Sequence, residues 1–248
     1  MTSPDIILPY KKEHPASYAP GAFATIELMH TRPQLLRKVY IRPSFTEKDS
    51  LLAECARLGI PALCGEEAFR RVRQKENEYV IGVFGKYVDE LGPGRAHVVL
   101  VSPMDMGNLG TIIRTMAGLN ITDLAIVSAS ADLFHPKTVR ASMGALFHIN
   151  CALFDSFGDY RAAFPAHACY PFMLGGEALP EVLESENTPL FSLVFGNEAR
   201  GLPQEYASIG RAVRIPQSPL VDSLNLSVAA GIGTYAFAEK YGLIPSVL

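Results

Sequence analysis

Three apolar segments of this chain each run directly into a loop rich in glycine, proline or polar residues. The loops have the sequences GNLGTIIR (107–114), FGNEARGL (195–202) and IPQSPLVDSLNLSVAA (215–230). Short apolar segments of this kind are typical of buried parallel strands, and ligands bind beyond the carboxyl ends of such strands. The three loops therefore predict an α/β fold with a mostly parallel sheet and one shared pocket.

The third loop combines a strand end, an irregular stretch and a helix start. Pro216 and Pro219 disfavour regular structure, and Ser223 and Asn225 come just before an apolar run that suits a helix over 227–241. Ser227 is predicted to be the N-cap of that helix. Unpaired backbone N–H groups at a helix start make this loop a candidate site for an anionic or polar ligand.

Composition excludes several classes of protein. The chain has 248 residues, 48% of them apolar and 19% charged, which predicts a globular protein with room for two domains. Because it has no apolar run of membrane-spanning length and no signal-peptide pattern at its start, we expect a cytoplasmic protein without a membrane partner. The four cysteines and six histidines lack metal-binding spacings. We therefore expect no metal and no disulfide, with the cysteines buried as small apolar residues.

A Gly-Pro-Gly segment at 92–94 divides the chain into two predicted domains. Residues 1–20 contain four prolines and are predicted to form an irregular arm, and short helices and strands, including a helix at 66–73, then alternate to about residue 87. Basic clusters at 32–42 and 70–75 fit either phosphate contacts or a solvated helix face. The predicted domains are 1–92 and 93–248, and the second includes a helix at 137–146.

The glycines of the first loop fit neither ordinary nucleotide fingerprint, because Gly107 and Gly110 lack both the GxGxxG and the P-loop spacing. The ordered set NLGTIIR, LVFGNEARGL and IPQSPLVDSLNLSVA instead resembles the three motifs of the SpoU or TrmH family of RNA ribose 2'-O-methyltransferases. This resemblance spans residues 96–248 and implies a trefoil-knotted fold that uses S-adenosylmethionine. The first domain is similar to an L30e-like substrate-binding domain in the segments GAFATIELM, KVYI and GIPALCGEEAF, although NEYVIGVF stands where many relatives carry His-Gln-Gly.

The resemblance also implies residue roles. The residues implied to act on the RNA ribose and phosphate are Asn108, Arg114, Glu198, Ser223 and Asn225, and those implied to contact the cofactor are Gly196, Ile215 and Leu224. Gln217 and Pro219 depart from the usual Met and Gly at the rim of the cofactor loop. We expect Arg114 to clamp a phosphate, since a guanidinium stays protonated. Without the resemblance, these residues fit caps, turns and an exposed ion pair between Glu198 and Arg200.

A homodimer whose active site is completed across a two-fold interface is implied as well. The last helix offers an apolar face for this contact, consisting of Val228, Ala229, Ile232, Tyr235 and Ala236. Burial within one monomer explains that face equally well. The expected function is methylation of a ribose 2'-hydroxyl in structured RNA, with ribosomal RNA preferred and transfer RNA as the alternative. A noncatalytic RNA-binding protein and a metabolic α/β enzyme are the rival classes.

Overall fold

The computed structural model describes residues 9–66, 69 and 78–245. The strands in this part of the chain are β1 (Ala16–Pro20), β2 (Leu36–Ile41), β3 (Ala62–Cys64), β4 (Val80–Gly85), β5 (His97–Val101), β6 (Asp123–Val127), β7 (Asn150–Phe154), β8 (Ala168–Ala178), β9 (Phe191–Phe195) and β10 (Val213–Arg214). The α-helices are α1 (Ala22–Thr31), α2 (Lys48–Arg57), α3 (Met106–Gly118), α4 (Pro136–Ala141), α5 (Phe157–Ala163), α6 (Leu179–Ser185) and α7 (Leu226–Lys240). Within the described residues, no helix is long and apolar enough to cross a membrane.

The chain divides into two compact units. The first runs to Tyr87 and also includes Asp132–Phe147, and the second comprises Val88–Ala131 together with the residues from His148 onward. This grouping differs from the predicted division at residue 92, because the segment with α4 packs on the first unit instead of the second. Val139 of that segment is fully buried, and Ser17 of β1 donates a hydrogen bond to the backbone carbonyl of Phe134.

The first unit is built on a four-stranded sheet with the order β1-β4-β2-β3. Strand β4 pairs antiparallel with both β1 and β2, whereas β2 and β3 are parallel. The prediction of an irregular arm is wrong for Ala16–Pro20, which pairs with β4 even though Pro20 ends it. Pro20 is tolerated because β1 is an edge strand, where a missing backbone N–H does not break a ladder. The predicted helix at 66–73 and the basic cluster at 70–75 lie largely outside the described residues.

The second unit contains a six-stranded sheet with the order β10-β8-β9-β5-β6-β7, and all five pairings are parallel. The predicted mostly parallel sheet is thereby confirmed. Strands β5, β6 and β9 are buried along their whole length, as expected for strands covered on both faces. Strand β5 begins and ends where its sequence pattern predicts. All five of its residues are buried, so the whole strand reads as one uninterrupted segment.

Helix α3 presents one apolar face to this sheet. Ile112, Ile113 and Met116 are buried, while Arg114 is exposed on the opposite side. The predicted helix at 137–146 ends earlier, at Ala141, because Met143 and Gly144 adopt positive φ angles of 50° and 80°. A helix cannot continue through two residues in that conformation.

A buried polar network lies at the amino ends of the central strands. His97 contacts the Tyr160 hydroxyl at 2.9 Å, and that hydroxyl is 2.6 Å from the Ser192 Oγ, which in turn lies 2.9 Å from His167. Burial lowers the pKa of His97 to about 4, so the ring is neutral near pH 7. The network is fully hydrogen-bonded and sits at the edge of the sheet opposite the three motif loops, which marks it as structural.

The four cysteines are free thiols, and three of them are buried as expected. Cys55, Cys151 and Cys169 are buried, whereas Cys64 at the end of β3 is exposed. The expectation of burial is therefore wrong for Cys64, because β3 lies at an edge of the small sheet and none of its residues is buried.

Candidate active site

Two cavities open in the second unit where the three motif loops follow their strands. The first has a volume of about 470 Å³ and is lined mainly by the second and third loops. The second has a volume of about 1200 Å³ and is lined mainly by the second loop and by residues between Val101 and Asn108, which lead into the first loop. The second loop forms a wall common to both cavities, made of Asn197, Glu198, Ala199, Arg200 and Gly201. The sequence predicted one shared pocket, and the structure has two adjoining ones.

The first cavity contains all three residues predicted to contact the cofactor. Gly196, Ile215 and Leu224 line it, together with Ser223. Gly196 is buried, and a Cβ atom there would lie 2.2 Å from the backbone carbon of Gly201, so only glycine lets the two loop segments approach. The stacked rings of Phe172 and Phe195, 4.4 Å apart, also line this cavity. A cavity of this size, with aromatic rings and close-packed backbone in its lining, fits an adenosyl cofactor.

Glu198 fastens the second loop to the start of α3. Its carboxylate accepts hydrogen bonds from the backbone N–H groups of Met104 and Asp105, both at 3.0 Å. Partial burial acts to raise the pKa of Glu198, but the hydrogen bonds from these backbone groups and from Asn108 outweigh it and lower the pKa. Glu198 is therefore ionised near pH 7. The exposed ion pair between Glu198 and Arg200 that the sequence also allowed is not formed.

Two asparagines extend this contact to the third loop. Asn108 Nδ2 donates to Glu198 over 3.4 Å, and Asn225 Nδ2 donates to Asn108 Oδ1 over 3.3 Å. Three of the five side chains predicted to act together thus meet in one chain of hydrogen bonds that links all three loops. Because these bonds are long and the atoms are open to solvent, they hold the amides loosely and leave them able to bind another polar group.

The predicted N-cap of the last helix is wrong. Asn225, not Ser227, is the N-cap of α7, because its Oδ1 accepts the backbone N–H of Ser227 at 2.8 Å and the Ser227 hydroxyl at 2.7 Å. Both residue types are favourable caps, and residue type alone does not choose between them. Asn225 therefore combines two tasks, since its oxygen caps the helix while its amide group faces Asn108.

The second loop has a fixed backbone. Asn197 and Gly201 exchange two backbone hydrogen bonds of 3.2 and 2.9 Å, and the Asn197 side chain accepts the N–H groups of Ala199 and Arg200. Asn197 Nδ2 also donates to the backbone carbonyl of Ser102 at 2.8 Å. The sequence motif contained Asn197, but no role was predicted for it. An Asn side chain that accepts hydrogen bonds from backbone N–H groups two or three residues further along is a common signal of a turn.

Arg114 does not join the cluster. It is exposed on α3 six residues beyond Asn108, and it lines neither cavity. Within the part of the chain that the structure describes, it makes no hydrogen bond or ion pair. Six residues correspond to one and two-thirds turns of an α-helix, which carries Arg114 about 9 Å along the axis and away from the face that carries Asn108.

The sequence model of the SpoU rRNA Methylase family matches residues 95–235, which include all three loops and both cavities. The chain belongs to this family. As a SpoU-family protein it is an RNA methyltransferase, which confirms the predicted resemblance and favours it over both rival classes. The implied L30e-like character of residues 1–92 stays a prediction.

Known relatives of this SpoU-family protein act on two kinds of RNA. It is 28% identical over 179 residues to the 23S rRNA (guanosine(2553)-2'-O)-methyltransferase of Bacillus subtilis (strain 168), covering 70% of each chain. Its fold is similar to the AdoMet-bound rRNA methyltransferase from Sinorhizobium meliloti, with a TM-score of 0.77, 26% identity and 91% and 87% of the two chains covered. Another similar structure is described as giving insights into the 2-OH methylation of C/U34 on tRNA, and it is 34% identical to this chain. Its TM-score is 0.55, and the match covers 61% of this chain and 99% of the chain in that structure. The AdoMet bound in the Sinorhizobium meliloti structure, together with the family match, confirms S-adenosylmethionine as the predicted cofactor.

Proposed function

We propose that this protein transfers the methyl group of S-adenosylmethionine to the 2'-hydroxyl of a ribose in ribosomal RNA, with the cofactor in the first cavity and the target nucleotide in the second. This proposal rests on one observation: the two cavities adjoin each other along the loop Asn197–Gly201. Methyl transfer requires the donor sulfur, the methyl carbon and the attacking oxygen to lie in line. Two cavities with one common wall allow that arrangement.

The chain's contribution to the reaction is mainly positioning. Bound S-adenosylmethionine supplies an electrophilic methyl group on its sulfonium. In our proposal the backbone around Gly196, Ile215 and Leu224 holds the cofactor, and the amides of Asn108 and Asn225 orient the target ribose. Ser223, which is exposed and lines the first cavity but not the second, adds a hydroxyl to the cofactor side. Correct alignment of two bound reactants contributes several kcal/mol to a lowered barrier.

Neither Glu198 nor Arg114 is a strong base for the hydroxyl proton. Glu198 is already occupied by two backbone N–H groups, which lower its pKa and make its carboxylate a weak proton acceptor. Arg114 stays protonated, as any arginine does. In our proposal the proton therefore leaves to an RNA phosphate oxygen or to water, and Arg114 acts as a phosphate clamp.

Ribosomal RNA is favoured over transfer RNA because the rRNA enzymes match a larger share of this chain. The Bacillus subtilis rRNA enzyme matches most of this chain, and the Sinorhizobium meliloti rRNA enzyme also covers the first unit, whereas the tRNA-related structure covers 61% of the chain. Transfer RNA remains the second candidate, because that shorter match has the higher identity. The proposal also assigns the protein to the cytoplasm, where ribosomal RNA is the abundant substrate.

A substrate-binding role for the first unit fits its surface. Phe23 at the start of α1 and Tyr79 before β4 are exposed by 55% and 40%, and exposed rings can stack on unpaired RNA bases. The Lys86 ammonium lies over the Tyr10 ring at 4.6 Å, which adds a cation to the same unit. In our proposal this unit holds the RNA as the L30e-like domains of relatives are expected to do.

The proposed function predicts a specific product. Incubation with S-adenosylmethionine labelled on its methyl group should transfer label to ribosomal RNA from a strain that lacks this gene, at one nucleotide that then resists alkaline cleavage at its 3' side. Primer extension at low nucleotide concentration would map that position. Label in transfer RNA alone would select the second candidate, and label on a base instead of a ribose would refute 2'-O-methylation.

We further propose a homodimer whose active site uses Arg114 from the partner. The apolar face of α7 is not buried within one monomer, since Val228, Ile232 and Tyr235 are exposed by 49%, 38% and 50%. Such a contiguous stripe on one helix is typical of a contact surface between subunits. A homodimer also explains why Arg114 lies away from the polar cluster of its own subunit, because in our proposal it reaches the second cavity of the partner subunit.

Subunit mixing tests this proposal. Arg114→Ala and Glu198→Ala are each expected to be nearly inactive alone, but a refolded equal mixture should regain about a quarter of the wild-type activity, because half of the dimers are mixed and each mixed dimer has one intact site. A mixture that stays as inactive as its components would contradict the shared site. Light scattering of Ile232→Glu provides the control, with a monomer expected.

A further inference from the structure

Arg200 is a cation at the junction of the two cavities with no described partner for its charge. Its side chain is exposed and lines both cavities, and its guanidinium makes no hydrogen bond or ion pair with any residue that the structure describes. Its backbone is held in place, since its N–H group donates to Asn197 Oδ1 over 3.2 Å. Arg200 thus combines a fixed main chain with a free guanidinium.

The charges around the second cavity are otherwise negative. Asp105 and Glu198 both line it, and Arg200 is the one cationic residue among the described residues that do so. A target nucleotide entering this cavity brings its own negative phosphate against those two carboxylates. At distances of a few ångströms, repulsion between like charges is unfavourable unless a cation offsets it. Within one chain, Arg200 is the residue placed to do this.

The cofactor carboxylate is the other anion that Arg200 could meet, but the first cavity already has a second cation. Arg214 lines the first cavity and not the second. A guanidinium also offers paired N–H donors that match two oxygens of a phosphate. The geometry therefore favours the RNA phosphate over the cofactor as the partner of Arg200.

We infer that Arg200 is a positioning residue that binds the phosphate adjacent to the target ribose and so seats the nucleotide in the second cavity. This inference rests on the proposed function and deepens it, because neither the motifs nor the resemblance assigned Arg200 a role in binding. Arg114 is also proposed to bind a phosphate, but it lies outside both cavities of its own chain, whereas Arg200 lines both.

The test separates RNA binding from methyl transfer. Binding of purified bacterial 23S rRNA to the full-length protein would be measured with S-adenosylhomocysteine present, over a range of salt concentrations, for wild type, Arg200→Gln and Arg200→Lys. Arg200→Gln is expected to raise the dissociation constant for RNA about 10-fold and to reduce the salt slope by about one phosphate contact. Arg200→Lys, which keeps the charge, should restore the salt slope and most of the affinity. The dissociation constant for S-adenosylhomocysteine should stay within about twofold throughout, which also shows that the variants fold.

Arg211→Gln is the matched control, because Arg211 belongs to the same unit, pairs with Glu177 and lines neither cavity. It should leave RNA affinity within about twofold of wild type. Equal losses in Arg200→Gln and Arg211→Gln would overturn the inference, since the effect would then come from overall charge. Weaker binding of S-adenosylhomocysteine with unchanged RNA affinity would also overturn it and assign Arg200 to the cofactor. Failure of the proposed function would appear separately, as wild-type protein that leaves every ribose unmethylated.

Discussion

Replacing Glu198 with alanine is expected to lower kcat/KM for RNA methylation by about 100-fold, because a shift of about 1 Å in a reactive arrangement has an effect of that size. Glu198 connects the second loop to the backbone N–H groups of Met104 and Asp105, at 3.0 Å each, and to Asn108. Its loss frees the loop that forms the common wall of both cavities. Radiometric methylation assays at several RNA concentrations would measure the change.

The same substitution should lower the free energy of unfolding by about 1–2 kcal/mol, since two charge-assisted hydrogen bonds are lost at a partly exposed site. Because the folded-state pKa of Glu198 is lowered, its contribution to stability is fully present above the unfolded-state pKa and is lost as pH falls through the folded-state pKa. The difference in stability between wild type and variant should therefore shrink in acid. Urea unfolding at pH 7 and in acid would measure it.

Glu205→Ala is the control for this experiment, because Glu205 is an exposed carboxylate seven residues further along that lines neither cavity. It should leave both activity and stability within experimental error. If Glu198→Ala retained more than about a third of wild-type activity, the hydrogen bonds to the start of α3 would not be what positions the loop.

The sheet and the place of the site were predictable from sequence because both depend on local patterns. Buried parallel strands are continuous apolar runs, and the loops that follow them carry the polar residues. The loop FGNEARGL (195–202) could be found in this way, whereas the roles of Gly196 and Glu198 came from the family resemblance. The capping choice between Asn225 and Ser227 could not, since it depends on where the third loop enters the helix and not on residue type.

Features that depend on long-range packing were not predictable. The segment Asp132–Phe147 follows β6 in sequence but packs on the first unit, and no periodicity in it indicates that choice. The trefoil knot stays a proposal from family membership, since general rules of chain topology make knots nearly absent and no local pattern predicts one.

Gly196→Ala is expected to abolish cofactor binding. The added Cβ would lie 2.2 Å from the Gly201 carbon and 2.4 Å from both the Gly201 oxygen and the Leu202 nitrogen. These are backbone atoms, so no side-chain rotation can relieve the contact, and the loop from Asn197 to Gly201 must move outward. Since this loop lines both cavities, a displacement of about 1 Å would misplace cofactor and ribose together and lower kcat/KM by more than about 100-fold.

Calorimetric titration with S-adenosylmethionine would measure the loss of binding directly, and an unfolding curve would show an accompanying destabilisation of about 3 kcal/mol. Gly118→Ala is the matched control, because Gly118 ends α3 with no atom within 4 Å of an added Cβ and with ordinary backbone geometry. That substitution should preserve cofactor affinity and raise stability slightly, as alanine suits a helix better than glycine. A folded Gly196→Ala protein that binds the cofactor as tightly as wild type would show that the close approach of Gly196 and Gly201 does not shape the first cavity.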